Sequence, residues 1–148
     1  MSEAIEKSIK YIEESKVGLL ITVDQNKIPF VRSIGAFSNE GANIYFLTAR
    51  ETEKVKHINS NSTVTFYFQN EGQPFESFKS VAISGEASEV TDKDELNKAI
   101  EAISLRYPVI KERVANGEFE KAAIYVVKGK YIKLADYSKE PKEQLINI

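Results

Sequence analysis

Six stretches of this chain are dense in β-branched, aliphatic and aromatic residues and are fenced by turn residues. They are Val17–Asp24 (VGLLITVD), Ile28–Phe37, Ile44–Thr48, Thr63–Gln69 (TVTFYFQ), Phe78–Val90 and Ala122–Tyr137. Such runs predict strands. Thr63–Gln69 alternates cleanly, the pattern of a strand with two different faces. Pro29 falls near the start of the second run, where a missing N–H does least harm. Gly85 inside the fifth run predicts a bulge or a close backbone approach, and Lys128-Gly129-Lys130 a bulge or turn in the sixth. Turn chemistry at Ser38–Asn43 (SNEGAN) predicts a hairpin.

Four segments carry helical signals instead. Ser2 can cap a helix with Ile5, Ile9 and Ile12 along one face. Glu51–Asn59 has helical composition, with Val55 and Ile58 three apart, and Asn61-Ser62 ends it. Thr91 or Asp92 can cap a third helix, with Glu95 placed for a capping box and Leu96, Ala99, Ile100 and Ile103 on its apolar face. Pro108 opens a short helix that closes near Asn116-Gly117. The tail from Ser138 reads as polar and loosely held, with Leu145, Ile146 and Ile148 available to dock on a partner. The expectation is a mainly β (α+β) single domain over residues 1–148, a six-stranded antiparallel barrel with peripheral helices. A chain of 148 residues is long enough to bury a real core.

Composition narrows the function classes. The net charge is -2 and the pI about 5.6, without the basic stripe expected of a nucleic-acid binder. No cysteine is present, which excludes disulfides, thiolate metal sites and cysteine nucleophiles, and fits a reducing cytoplasm. The N-terminal MSEAIEKSIKYIEESK lacks the apolar region of a secretory signal. No apolar run approaches the ~20 residues that span a membrane. His57 is the single histidine, so one chain cannot form a histidine-pair metal site. Placed on a helix among Lys54, Lys56 and Ile58, it reads as a surface or interface residue.

The chemistry-bearing constellation lies between Pro29 and Gly85. Thr48-Ala49-Arg50-Glu51-Thr52-Glu53-Lys54 follows a strand and opens a helix. Free N–H groups at that helix start favour an anion. Thr48 and Thr52 add hydroxyls, Lys54 a point charge, and Arg32 a planar fork from a neighbouring strand. These residues can gather around one phosphate. They also fit a plain N-cap beside two solvated charges, and spacing alone does not choose.

The order of these motifs resembles the pyridoxamine 5′-phosphate oxidase-like family of FMN-binding split barrels. The likeness rests on Arg32 in a strand, the Ser38–Asn43 hairpin, Phe46-Leu47-Thr48 and Thr52-x-Lys54. It continues through Asn61-Ser62, Val64–Phe68 and Val81-Ala82-Ile83-Ser84-Gly85-Glu86-Ala87. It implies a split β-barrel homodimer with flavin sites at the interface. Arg32 and Lys54 would hold the FMN phosphate, with Thr52 donating to it. Ser33 and Ile34 would set backbone against the isoalloxazine edge. Leu47 and Thr48 would contact the ring or ribityl chain, and Gln69 would reach the flavin from the partner subunit.

Three departures bear on activity. Glu53 stands where many members carry a second cation. Phe37 stands where the oxidase proper has a lysine for the substrate phosphate, and beside a flavin it would favour a flat or apolar partner. The oxidase's C-terminal Arg-x-His motif has no counterpart. The resemblance therefore implies a small FMN-dependent oxidoreductase, acting with a small-molecule electron donor or acceptor, that does not oxidise pyridoxamine phosphate. A non-enzymatic flavin-binding or stress-response protein, and a haem or deazaflavin binder on the same barrel, are the alternatives.

Overall fold

The computed structural model describes residues 2–118 and 120–148. The elements run α1 (Glu3–Glu14), β1 (Gly18–Val23), β2 (Pro29–Ile34), β3 (Phe37–Glu40), β4 (Asn43–Ala49), α2 (Glu53–Ser60) and β5 (Thr63–Phe68). A short 3-10 turn at Phe75–Ser77 leads to β6 (Lys79–Glu89), α3 (Lys93–Arg106), α4 (Val109–Ala115), β7 (Ala122–Asp136) and β8 (Glu143–Asn147). The strands form one eight-stranded antiparallel sheet in the order β2-β1-β5-β6-β7-β4-β3, with β8 added to β7. β2 and β3 are the two ends of that order, yet only Gly35 and Ala36 separate them in the chain. The sheet must therefore curl until its ends meet, and the result is a split barrel.

The sequence reading has six strands and the sheet has eight. One extra strand comes from a break in the expected Ile28–Phe37 run. Ile34 and Phe37 are both buried in the core. They are three residues apart, and an unbroken strand would send them to opposite faces. The kink at Gly35-Ala36 resolves the conflict. It also shortens the hairpin that follows, so that Glu40 pairs with Asn43 around a turn holding Gly41 at φ 59°. The other extra strand is the tail. Glu143–Asn147 pairs along β7 and Ile146 packs on the core, so the segment expected to hang loose is part of the sheet.

The barrel interior is aromatic. Phe37, Phe46, Phe66 and Phe68 are fully buried, with ring centroids 5.4–6.3 Å apart between neighbours. Strict alternation in β5 turns Phe66 and Phe68 inward and leaves Tyr67 on the outer face. Gly85 meets both expectations made for it. The β6–β7 register shifts beside it, and a Cβ there would lie 1.9 Å from the Lys128 carbonyl oxygen. A second cluster lies outside the barrel, where α3 and α4 cover Tyr45, Ile124 and Val126.

α1 is tied down by two side chains from the end of α3. Arg106 donates to the Glu13 and Ser15 carbonyls, and Tyr107 Oη donates to the Lys16 carbonyl at 2.6 Å. The Arg106 guanidinium also stacks 4.3 Å from the centroid of Phe37. The Glu13 contact answers one of the C-terminal carbonyls that a helix leaves unpaired, and the other two hold the chain just after α1.

Candidate anion and cofactor site

The site begins at β2, an edge strand with a neighbour on one side only. Its register pairs Leu20 with Arg32 and Leu19 with Ser33. Arg32 therefore shares the inner face with the fully buried Leu20 and Thr22, and Ser33 points the other way. At the barrel end Arg32 Nη1 donates to Thr22 Oγ1 at 2.6 Å and to the Leu20 carbonyl at 3.3 Å. Its Nη2 lies 3.4 Å from His57 Nδ1 on α2.

α2 supplies the second cation. Lys54 is half-buried, and burial followed by the charge of Arg32 pulls its pKa below the ordinary lysine value. Burial likewise lowers the Arg32 guanidinium. Among the described residues neither cation makes an ion pair. Glu53, the nearest acid in sequence, turns to Lys56 at 3.6 Å and His57 at 3.9 Å. Two close, partly desolvated cations without a carboxylate are an unfavourable arrangement that an anion relieves.

The helix start adds donors. Thr52 sits at the N-cap, but its hydroxyl donates to the Ala49 carbonyl at 3.2 Å and caps no amide. The first intrahelical bond runs from the Lys56 N–H to the Thr52 carbonyl. The N–H groups of Glu53, Lys54 and Val55 thus remain open at the positive end of the helix dipole. Thr48 is buried behind them, with its hydroxyl 3.5 Å from that of Thr52. Arg32 and Lys54 are thus near enough to repel, and Thr48 and Thr52 meet at the start of the helix that carries Lys54.

The remaining predicted residues lie elsewhere on the chain. Ser33 and Gln69 share a groove of about 850 Å³ on the outer sheet face, lined also by Lys16, Leu19 and Tyr67. Tyr67 Oη donates to Gln69 Oε1 at 2.7 Å. Ile34 is buried in the barrel core, so it has only backbone to offer a ligand. Leu47 is separated from its neighbour Thr48 by the alternation of β4. Its side chain faces an apolar cavity of about 280 Å³ under α3 and α4. Phe37 is fully enclosed beneath Arg106 and cannot stack on a bound ring or its partner.

Sequence reasoning missed Thr22 and His57. The sequence reads His57 as a surface or interface residue, but it is 7% exposed within the single chain and packs 5.0 Å from the Phe30 ring. The available signal was spacing. His57 follows Lys54 by three on α2, hence on the same helix face. Thr22 is a polar residue in the inward register of Leu20.

The scan against family models matches residues 3–133 to the pyridoxamine 5′-phosphate oxidase model. The chain belongs to the pyridoxamine 5′-phosphate oxidase family. Solved structures similar to it include a haem-binding protein from Mycobacterium smegmatis, with TM-score 0.82 and 13% identity, covering 99% of this chain. The chain spans only 59% of the length of that protein. A protein related to general stress protein 26, of the pyridoxinephosphate oxidase family, from Clostridium acetobutylicum has TM-score 0.70 and 14% identity over 97% of this chain and 94% of that one. A haem storage protein from Vibrio cholerae has TM-score 0.68 and 19% identity over 84% of this chain and 89% of that one. These likenesses show the shared split barrel. No curated protein sequence matches the chain. No helix among the described residues is long and apolar enough to cross a membrane.

Proposed function

We propose that this chain binds FMN and works as a small cytoplasmic oxidoreductase built as a homodimer. One observation carries the reading: Arg32 and Lys54 are close, partly buried and unpaired among the described residues, beside open amides at the start of α2. That donor set fits a phosphate monoester dianion. Arg32, Lys54 and Thr52 would hold the phosphate, and Ser33, Thr48, Gln69 and the backbone of Ile34 would border the rest of the cofactor, with Leu47, whose side chain faces α3 and α4, left out. When bound, the flavin supplies the electron chemistry, and the protein supplies orientation and electrostatics.

The dimer reading rests on the outer sheet face. Register places Ser33, Leu19, Tyr67, Ala82, Lys133 and Leu145 in one row across six strands, and Val31, Ile21, Thr65, Ser84, Tyr131 and Asn147 in the next. Val31 is 59% exposed and Leu145 70% exposed. Exposed Val31, Tyr131 and Leu145 among polar neighbours on this face fit an interaction surface. It is continuous with the groove at Ser33 and Gln69, so a second copy seated there would close the cofactor site.

Haem is the second reading, favoured by the names of the M. smegmatis and V. cholerae proteins. Against it, His57 is buried and its Nδ1 is engaged by Thr22 at 2.8 Å, and the chain has no cysteine to ligate iron. The visible spectrum of the purified protein decides. Flavin bands, or saturable quenching of added FMN, support the proposal. A Soret band, or no change with FMN, overturns it. Turnover with a reduced nicotinamide and an acceptor separates an oxidoreductase from a flavin-binding protein without activity.

A further inference from the structure

We infer that His57, acting through Thr22, is the positioning residue of the anion site, and that it does so as the neutral tautomer protonated at Nε2. The inference rests on the anion-site reading above and assigns a role to two side chains that would not themselves touch the ligand. The hydrogen-bond partners select one assignment, the one that leaves no donor without an acceptor. A guanidinium only donates, so Arg32 Nη1 gives a proton to Thr22 Oγ1 at 2.6 Å. The hydroxyl of Thr22 has one proton left to give, and its remaining partner is His57 Nδ1 at 2.8 Å. The Thr22 oxygen can accept twice, but a proton on Nδ1 would leave the Thr22 proton with no acceptor among the described residues and would face Arg32 Nη2, so Nδ1 accepts and carries no proton. Arg32 Nη2, at 3.4 Å from the same atom, imposes the same requirement. The ring proton then sits on Nε2, which faces Glu53 Oε2 at 3.9 Å.

This relay has a mechanical consequence. The chain from Arg32 to Thr22 to His57 ties β2, β1 and α2 together through side chains, and α2 also carries Lys54 and Thr52. Nη1 is committed to Thr22 and to the Leu20 and Phe30 carbonyls. Nε and the outer Nη2 proton remain for an anion. Thr22 is fully buried, and the Phe30 ring packs on the imidazole, so water has little access to compete for these bonds. The fork is therefore preset before the ligand arrives, which lowers the ordering cost of binding.

The test compares His57→Leu, which removes the acceptor, with His57→Asn, whose amide oxygen falls near the place of Nδ1. Thr22→Val and Thr22→Ser repeat the contrast from the other end. FMN is the probe, with flavin-fluorescence titration as the readout. His57→Leu and Thr22→Val should weaken FMN by roughly five- to tenfold, the worth of one positioned hydrogen bond, and His57→Asn and Thr22→Ser should restore most of it. Nitrogen-15 NMR of the protein without FMN gives an independent readout. The parent should show His57 protonated at Nε2 alone, and distinct Arg32 Nη1 protons that average in His57→Leu and return in His57→Asn. A proton on Nδ1, or Arg32 signals indifferent to His57, overturns the relay whether or not FMN binds. Loss of FMN affinity in both the leucine and asparagine variants, with equal loss of fold, also overturns it and leaves a packing role. If the relay signals hold but every variant binds FMN as tightly as the parent, the positioning role falls and the FMN reading stands; if the parent itself does not bind FMN, the FMN reading falls.

Discussion

Lys54→Met should weaken cofactor binding and stabilise the empty protein at the same time. The ammonium of Lys54 lies half-buried at the barrel end, and burial first, then Arg32, lower its pKa from the ordinary value. The folded chain thus holds this proton less tightly than the unfolded chain. By linkage, stability rises with pH from the folded pKa up to the unfolded value of about 10.4, and the cost of the charge is fully present below that window, including at neutral pH. Methionine keeps the length of the stem and removes the charge. Discounted for partial exposure, relief of ~0.5 kcal/mol would raise the melting temperature of the empty protein by about 1–2 °C. The same change deletes a charge-assisted contact to phosphate, worth about 1.5–3 kcal/mol, or roughly 10- to 150-fold in Kd. Flavin-fluorescence titration measures the second effect, and thermal melts by circular dichroism without FMN measure the first. The melting difference should shrink as pH climbs through the window. Riboflavin, which lacks the phosphate, should bind parent and variant alike. A variant that binds FMN as tightly as the parent, or whose empty form melts lower at neutral pH, would refute the argument.

Three further outcomes follow from other parts of the molecule. Gly85→Ala would set a Cβ 1.9 Å from the Lys128 carbonyl oxygen, and the clash falls on backbone of a paired strand. It should cost about 3 kcal/mol or more, read as a lowered urea midpoint, and an unchanged midpoint would show that the bulge is not needed. Val31→Glu puts a charge at an exposed apolar position of the outer sheet face and should convert a dimer into a monomer by light scattering at micromolar concentration, while a monomeric parent would remove the shared site. Pyridoxamine 5′-phosphate should not be turned over in air with FMN present, because Phe37 is enclosed in the core and presents no cation to a substrate phosphate. Pyridoxal phosphate formed at ~1 per second or faster would contradict this.

Much of the sheet was legible because strand signals are local. Period-two alternation in Thr63–Phe68 assigns its faces without reference to any other strand, and the buried Phe66 and Phe68 follow from it. The order of motifs names Arg32, Thr52 and Lys54 together, and in the fold the charge of Arg32 reaches Lys54 while Thr52 stands at the N-cap of the helix that carries Lys54. Leu47 shows the limit of that reasoning. A motif names adjacent residues, while a strand sends adjacent side chains to opposite faces, and Leu47 faces α3 and α4 rather than α2.

The sequence by itself determined six strand-bearing stretches, the cap at Ser2 and the turn within Ser38–Asn43, because each depends on residues within a few positions. Tertiary structure alone decided where the sheet closes, that the tail joins it as β8, and that His57 is buried. The closure follows from two core residues at odd spacing, Ile34 and Phe37, which force a break between β2 and β3. His57 is buried because Thr22, thirty-five positions earlier, presents a hydroxyl at an inward position of β1 and needs a partner there. A buried polar group is satisfied across the fold, and local pattern carries no record of which distant side chain will satisfy it.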